Sequence, residues 1–234
     1  MVLPPALNYP YGPCEAVEVR RLLKLVFDCG EMRQEQRQQQ PPARFFFHVG
    51  GSSWYKNRAG ILRGFHAYQQ QRNGANEQPP IALVMAGALP DANLLSLSAE
   101  LGIEKDVHWL GQVTNEELAA LYNAAVALVF PSLAEGFGWP PVEAQACGCP
   151  VIVSNRAPMT EAAGDAAIFV APNEPEEIGA ALLRMEKMSA EEREALKKRG
   201  FENVKRYSTE QMMKGYLKAY QEAASRMNRN GAKF

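Results

Sequence analysis

The sequence predicts an α/β protein: a Rossmann-like, doubly wound parallel sheet of six strands with a helical C-terminus. From Phe45 onward, short apolar runs alternate with helical patterns. The runs are continuously apolar rather than alternating, which marks strands covered on both faces, as in a parallel sheet. Beyond Val170 only helical patterns remain. Right-handed crossovers turn such a strand–helix series into helical layers on both sides of one sheet.

Each element has a local cause. Phe45–Val49 is the first strand candidate, and Arg58–Gln71 follows as a helix with Ile61, Leu62, Phe65 and Tyr68 on one face. Ile81–Ala86 is the second strand, Ala92–Leu101 the next helix, and Val107–Leu110 the third strand. Thr114 and Glu117 have the spacing of a capping box, which opens a helix through Leu118, Leu121 and Tyr122. Val126–Phe130, Val151–Val153 and Ile168–Val170 complete the strands. Glu176–Met188 reads as a helix, Ser189 with Glu192 caps another, and Ser208 with Gln211 caps the last, ending near Met227. Residues 1–44 read as a connector with an N-terminal helix and a glutamine-rich linker from Glu31 to Arg44. The domain proper spans 45–227, Asn73–Pro80 is a surface loop, and 228–234 is a fraying tail.

Composition narrows the function classes. At 234 residues, roughly 70–75% of the unfolded chain's surface can be buried, so a full core is available. The net charge of −1 gives no electrostatic footprint for nucleic acid or an anionic membrane. No apolar stretch approaches a membrane span, and the first residues, Met1-Val2-Leu3-Pro4-Pro5, lack the pattern of a signal peptide. Cys14, Cys29, Cys147 and Cys149 show no C-x-x-C spacing, and His48, His66 and His108 are not at metal-ligand spacing. The chain reads as soluble and cytoplasmic, with free thiols.

The most informative segment is Glu135-Gly136-Phe137-Gly138-Trp139-Pro140-Pro141-Val142-Glu143. It follows a buried-strand run and enters a helix that Gly148 can end. Prolines fit the first helical turn, where a missing N–H costs nothing. A helix start reached through glycines offers free N–H groups to an anion. Glu135 on the loop and Glu143, placed in the first helical turn, suit hydroxyls rather than phosphate. A sugar bearing phosphate needs both kinds of partner. Lys56 and Arg58 fall at the start of the helix after strand one, against the helix macrodipole, by about 0.3–1 kcal/mol each. An anion bound between them explains that placement. Gly50 and Gly51 permit close backbone approach to a diphosphate.

The form E-G-F-G-x-P-x-x-E, with HVGG-x-x-W-Y-K-N-R, LVMAG, WLG-x-V and FPS-x-x-EGFG in order from about Phe45 to Asp165, resembles the retaining glycosyltransferases of family 4, which have the GT-B fold. That resemblance implies a fold of two Rossmann-like domains facing each other across a cleft, of which this chain matches the second, the donor-binding half. Asn8-Tyr9-Pro10-Tyr11 resembles the family's interdomain connector. The acceptor-binding N-terminal domain is expected to come in cis or in trans, and the whole enzyme to sit in the cytoplasm or at the membrane periphery.

Residue roles follow from the resemblance. Lys56, helped by Arg58, is expected to neutralise the leaving nucleoside diphosphate without a metal. Glu135 faces the sugar ring, with front-face substitution preferred over a covalent glycosyl–Glu135 intermediate. Glu143 accepts from the ribose hydroxyls. Gly136, Phe137 and Gly138 offer amides to the distal phosphate, and Ser132 lies where that loop begins. Backbone at Gly111 to Val113 reads the base. Trp139 is either a sugar-stacking residue or core. An arginine that family members often carry after the first strand is replaced here by Gly51. The donor is a UDP- or GDP-sugar, and the W-Y-K-N-R variant leans toward mannosyl transfer. The alternative is a non-catalytic nucleotide-sugar-binding module, or a subunit completing an enzyme with another chain. An apolar face of the last helix, from Met212 to Tyr220, predicts weak self-association as a homodimer.

Overall fold

The computed structural model describes residues 5–29, 40–72 and 81–231, so the Asn73–Pro80 loop and most of the glutamine-rich linker lie outside the described residues. The strands are β1 (Phe45–Gly50), β2 (Ala82–Gly87), β3 (Val107–Trp109), β4 (Ala127–Phe130), β5 (Val151–Ser154) and β6 (Ile168–Val170). They form one sheet in the order β3-β2-β1-β4-β5-β6, and every pairing is parallel. Phe46 stands opposite Leu83 of β2 on one side and Ala127 of β4 on the other. The sheet grows outward from β1 in both directions. Ligands in open α/β sheets bind beyond the carboxyl ends of the strands at that reversal.

Burial on both faces follows from the strand alternation. Phe45 and Phe47 enter one apolar cluster, while Phe46 enters the other. The first cluster is closed by α1 (Ala16–Cys29), α4 (Asn115–Ala124) and α5 (Trp139–Ala146). Val26 and Phe27 of α1 are buried in the same cluster as Phe45, and α1 packs on α4. The N-terminal helix therefore belongs to the same packed body as the sheet. The second cluster is closed by α2 (Arg58–Arg72) and α7 (Pro175–Lys187), with α3 (Ala92–Glu100) beside them.

Sequence-predicted capping appears where expected. Thr114 and Glu117 exchange both bonds of a capping box, as do Ser189 and Glu192 at the start of α8 (Ala190–Val204). Ser208 accepts from the Gln211 N–H at the start of α9 (Thr209–Gly231). That helix continues to Gly231, past the end expected near Met227; residues 232–234 lie outside the described residues. A short helix, α6 (Met159–Ala163), has no signal as clear, because five residues show no full period. It is held from below by a buried amide chain. The Asn203 amide donates to Gln145 Oε1 at 2.7 Å, and the Gln145 amide donates to the carbonyls of Ala163 and Ala166. Cys147 and Cys149 are buried, and burial raises both thiols, Cys149 to about 12.

At the carboxyl edge, β1, β2 and β3 are drawn together at a single glycine. Gly87 has φ +110, its N–H donates to Gly111 O, and a Cβ there would strike the Gly50 carbonyl. The next residue, Ala88, donates its N–H to that same carbonyl. Gly87→Ala combines a left-handed backbone with a backbone clash, so it should cost about 1–3 kcal/mol. A urea denaturation midpoint equal to wild type contradicts this close approach.

Candidate nucleotide-sugar site

Between β1 and α2 the chain makes one 3₁₀ turn, Trp54–Lys56, which ends at Asn57 in the left-handed conformation, φ 55. Asparagine tolerates that conformation better than most residues. Its side-chain amide donates to Pro131 O at 2.9 Å and to Pro172 O at 2.7 Å, tying the turn to the ends of β4 and β6. Gly60 is needed one turn on, since a Cβ there would occupy the space of the Asn57 amide. A second tie is the Leu133 N–H, which donates to Tyr55 O at 2.8 Å. The loop after β4 is thus registered against the loop after β1.

Across that junction Lys56 Nζ meets Glu135 Oε1 at 2.7 Å, with both side chains mostly removed from water. The ammonium also lies over the Phe130 ring, 4.9 Å from its centroid. Gly50 presses on this pair: a Cβ would sit 3.3 Å from Lys56 Cγ and Cδ and 3.0 Å from His48 Nε2. Gly51 and Gly136 open to free space. Among the described residues, no loop bond uses the N–H of Gly136, Phe137 or Gly138. Gly138, φ +96, starts α5, and a Cβ there would strike the Met159 side chain. Phe137 packs on Trp139 at 4.7 Å and edge-on to Tyr207 at 5.4 Å, and Trp139 stays half-buried.

Two buried polar groups, one within β1 and one just past β4, lie near this loop. Ser132 is fully buried, and its Oγ has no hydrogen-bond partner among the described residues. His48 is buried against Phe130, with Nδ1 2.9 Å from Val129 O. A carbonyl can only accept, so Nδ1 carries the proton and Nε2 is a bare acceptor; it too lacks a partner. Burial lowers the His48 pKa to about 3, outweighing the bond to Val129.

Glu143 departs from expectation. The helix begins at Trp139 because left-handed Gly138 is its cap, so Pro140 and Pro141 fill the first turn and Glu143 falls in the second. It is nearly buried, and Oε2 accepts from the Tyr122 hydroxyl of α4 at 2.9 Å. Burial raises its pKa, and the Tyr122 bond opposes that rise. No contact joins Glu143 to the Lys56–Glu135 pair among the described residues.

Arg58 is not gathered into the pair. Its guanidinium donates to Ala88 O at 2.7 Å and to Leu89 O at 3.4 Å, and it stacks on the Trp109 ring at 5.2 Å. In this arrangement it braces the loop after β2. Gly111 is buried, with its carbonyl accepting from Gly87, and Val113 packs partly buried against the first apolar cluster. Asn57, Tyr122 and Gly87 were not singled out from the sequence. An asparagine directly before a helix was the available signal for Asn57; Tyr122 read only as part of an apolar face. Among the described residues no group of three or more His, Cys, Asp or Glu could hold a metal ion.

A parallel six-stranded sheet in this strand order matches known proteins. The chain belongs to the family of glycosyl transferases group 1, whose profile matches residues 31–203. It is 32% identical over 176 residues to the O-antigen chain mannosyltransferase B of Escherichia coli, covering 75% of this chain and 45% of that protein. It is also 39% identical over 99 residues to an MMP α-(1→4)-mannosyltransferase of Mycolicibacterium hassiacum, 41% of this chain and 24% of that one. The chain thus spans under half the length of these relatives. Among solved structures, Anabaena HepE in complex with UDP and glucose superposes with TM-score 0.74 at 15% identity, over 95% of this chain and 57% of that one. A sucrose-phosphate synthase from Thermosynechococcus elongatus gives 0.70 at 23%, over 96% and 53%. The fold is therefore that of the C-terminal Rossmann-like half of GT-B proteins.

Two buried groups make stability pH-dependent with opposite signs. Glu143 binds its proton more tightly folded than unfolded, so its ionisation destabilises the fold as pH rises through the raised pKa. Glu143→Gln should therefore raise the urea midpoint at about pH 7 and lose that advantage near about pH 4. No gain at neutral pH contradicts the burial cost. His48 is neutral in the fold and charges in the unfolded chain below 6.5, so its contribution is full above 6.5 and is lost as pH falls toward about 3. His48→Leu should flatten the stability profile across that range; an unchanged slope counts against a buried neutral His48.

Proposed function

We propose that this chain is the donor-binding half of a retaining, metal-independent hexosyltransferase that uses a UDP- or GDP-sugar, with mannose as the transferred sugar. The single observation that carries the reading is the Lys56–Glu135 pair, brought together at 2.7 Å from two separate segments beside three unused loop amides. A cation, a carboxylate and free N–H groups at one point suit a diphosphate joined to a sugar. When a donor binds, Lys56 exchanges Glu135 for the diphosphate and balances the charge developing on the leaving group. The freed Glu135 turns to the sugar hydroxyls and the anomeric centre, in a front-face substitution. The amides of Gly136 to Gly138 receive the distal phosphate, and Glu143 Oε1 receives the ribose hydroxyls, with Tyr122 holding the other oxygen. Ser132 Oγ and His48 Nε2 remain as buried polar atoms able to meet donor or water hydroxyls. Gly111 to Val113 reads the base through its backbone.

The mannosyltransferases among the relatives support the choice of sugar, and the HepE complex with UDP and glucose supports a nucleotide-sugar donor. In this reading the acceptor half lies in the remaining length that the relatives have, and the reaction takes place in the cytoplasm. Among the described residues no helix is long and apolar enough to cross a membrane.

Thermal denaturation with UDP, GDP, ADP and their sugar conjugates, in chelator, tests the donor site. A nucleotide at about a hundred times its Kd adds roughly 2.7 kcal/mol, on the order of 5–10 °C for a domain of this size. Glu143→Gln and Lys56→Ala should each remove most of that shift while leaving the far-UV spectrum native. A shift that appears only with a divalent metal, or that survives both substitutions, contradicts the assignment.

The last helix bears on assembly. Met213, Tyr216, Leu217 and Tyr220 of α9 are exposed, and among the described residues α9 packs chiefly on the 3₁₀ turn Lys205–Tyr207. Weak, concentration-dependent self-association through this face is expected in sedimentation velocity, reversed by Leu217→Glu. A strict monomer at high concentration contradicts it.

A further inference from the structure

The 3₁₀ turn that presents Lys56 to Glu135 has a second side. Three residues per turn separate neighbouring side chains by about 120°, so Trp54 and Lys56 cannot share a face. Trp54 is 75% exposed, with its indole edge-on to Tyr55, and Leu89 after β2 is 45% exposed. Both border a cavity of about 590 Å³ between the start of α2 and α3, which lies within the size range of small-ligand sites. Its polar rim includes Ser52, Ser53, Arg63 and Asn93, all exposed. The charge around it is balanced: Arg58 and Arg63 face Asp91 and Glu100. Arg58 is already held by the Ala88 and Leu89 carbonyls, and Asp91 Oδ1 caps α3 through the Leu94 N–H. Of the cavity's two guanidinium groups this leaves Arg63, offset by Asp91 and Glu100 on the same cavity wall, which disfavours a multiply charged anion. It offers an open aromatic plate, short hydroxyls and planar amide and guanidinium groups.

We propose that this cavity is a saccharide subsite in which the Trp54 indole stacks on the apolar face of a neutral sugar ring. Ser52, Ser53, Asn93 and Arg63 bond its hydroxyls. A sugar ring presents C–H groups on one face and hydroxyls around its edge, and an aromatic ring beside polar side chains matches both. Lys56 lies two residues from Trp54, so the subsite flanks the donor site and holds a remote ring of a saccharide acceptor. Remote contacts of this kind supply binding energy that orients the reacting group. Naming the sugar an acceptor rests on the glycosyltransferase reading; sugar binding itself does not.

The test is a fluorescence titration of the chain with an α-linked mannobiose, repeated with maltose. Of the three tryptophans, Trp109 is buried and Trp139 half-buried, so the exposed Trp54 contributes most to the red edge of the emission, and the loss of the response in Trp54→Ala assigns it. Sugar should shift that emission to the blue and quench it. Trp54→Ala should weaken sugar binding at least about tenfold, read by saturation-transfer NMR. The same variant should keep the wild-type thermal shift with UDP or GDP, which separates this subsite from the donor site. Asn93→Ala, on an exposed helix position, gives a second variant, with weaker sugar binding and an unchanged melting temperature. No response to either disaccharide overturns the proposal, as does undiminished sugar binding by Trp54→Ala. Loss of self-association in Trp54→Ala without any sugar response assigns the patch to a second copy and overturns it as well. If sugar binds and no nucleotide does, the subsite stands and the donor reading fails.

Discussion

Asn57 fixes the geometry on which the open end of the sheet depends. Its left-handed backbone reverses the chain immediately after Lys56, and its amide spans the carbonyls of Pro131 and Pro172. Those two bonds hold the exits of β4 and β6 against the start of α2. With that junction set, the Leu133 N–H reaches Tyr55 O, and Glu135 comes within 2.7 Å of Lys56. Two buried carbonyls satisfied by one side chain carry little net energy, about 0.5–1.5 kcal/mol per bond, but leaving them unpaired costs more. The constraint is therefore one of registration more than of stability.

The same logic runs along the rest of the edge. Gly87 lets β2 touch β1 through the Gly50 carbonyl and bonds to Gly111 beyond β3. Arg58, by gripping the Ala88 and Leu89 carbonyls and stacking on Trp109, closes that side. Gly138 lets α5 start directly against Met159 of α6, and the Gln145–Asn203 pair fixes α5, α6 and α8 as a unit. Strand ends with glycines at their exits leave backbone amides without bonds at this edge among the described residues. The buried polar atoms of His48 and Ser132, without partners among the described residues, lie at the same edge.

Much of this was legible in the chain because the relevant signals are local. Continuous apolar runs located six strands to within a residue or two, and Thr114/Glu117 and Ser189/Glu192 marked helix starts through their own bonds. The pairing of Lys56 with Glu135 was legible only as a role for each, since the 79-residue separation is bridged by the sheet order. Arg58 shows the limit most clearly. Its place at a helix start pointed toward an anion, but tertiary carbonyls and a tryptophan face occupy it. Glu143 was set one turn too early because prolines mark the first turn of a helix without fixing which residue caps it. Asn57 and Tyr122 act through long-range bonds that no periodicity displays.

The most direct test of the whole arrangement is hydrogen–deuterium exchange on the chain with and without the nucleotide that stabilises it. If Lys56, the Glu135–Gly138 loop, Glu143 and the Gly111 turn form one donor site, protection should rise together in peptides covering 50–57, 111–113 and 132–143. Protection confined to one of these segments, or placed at the opposite edge of the sheet, contradicts a single site at the carboxyl ends of β1 and β4.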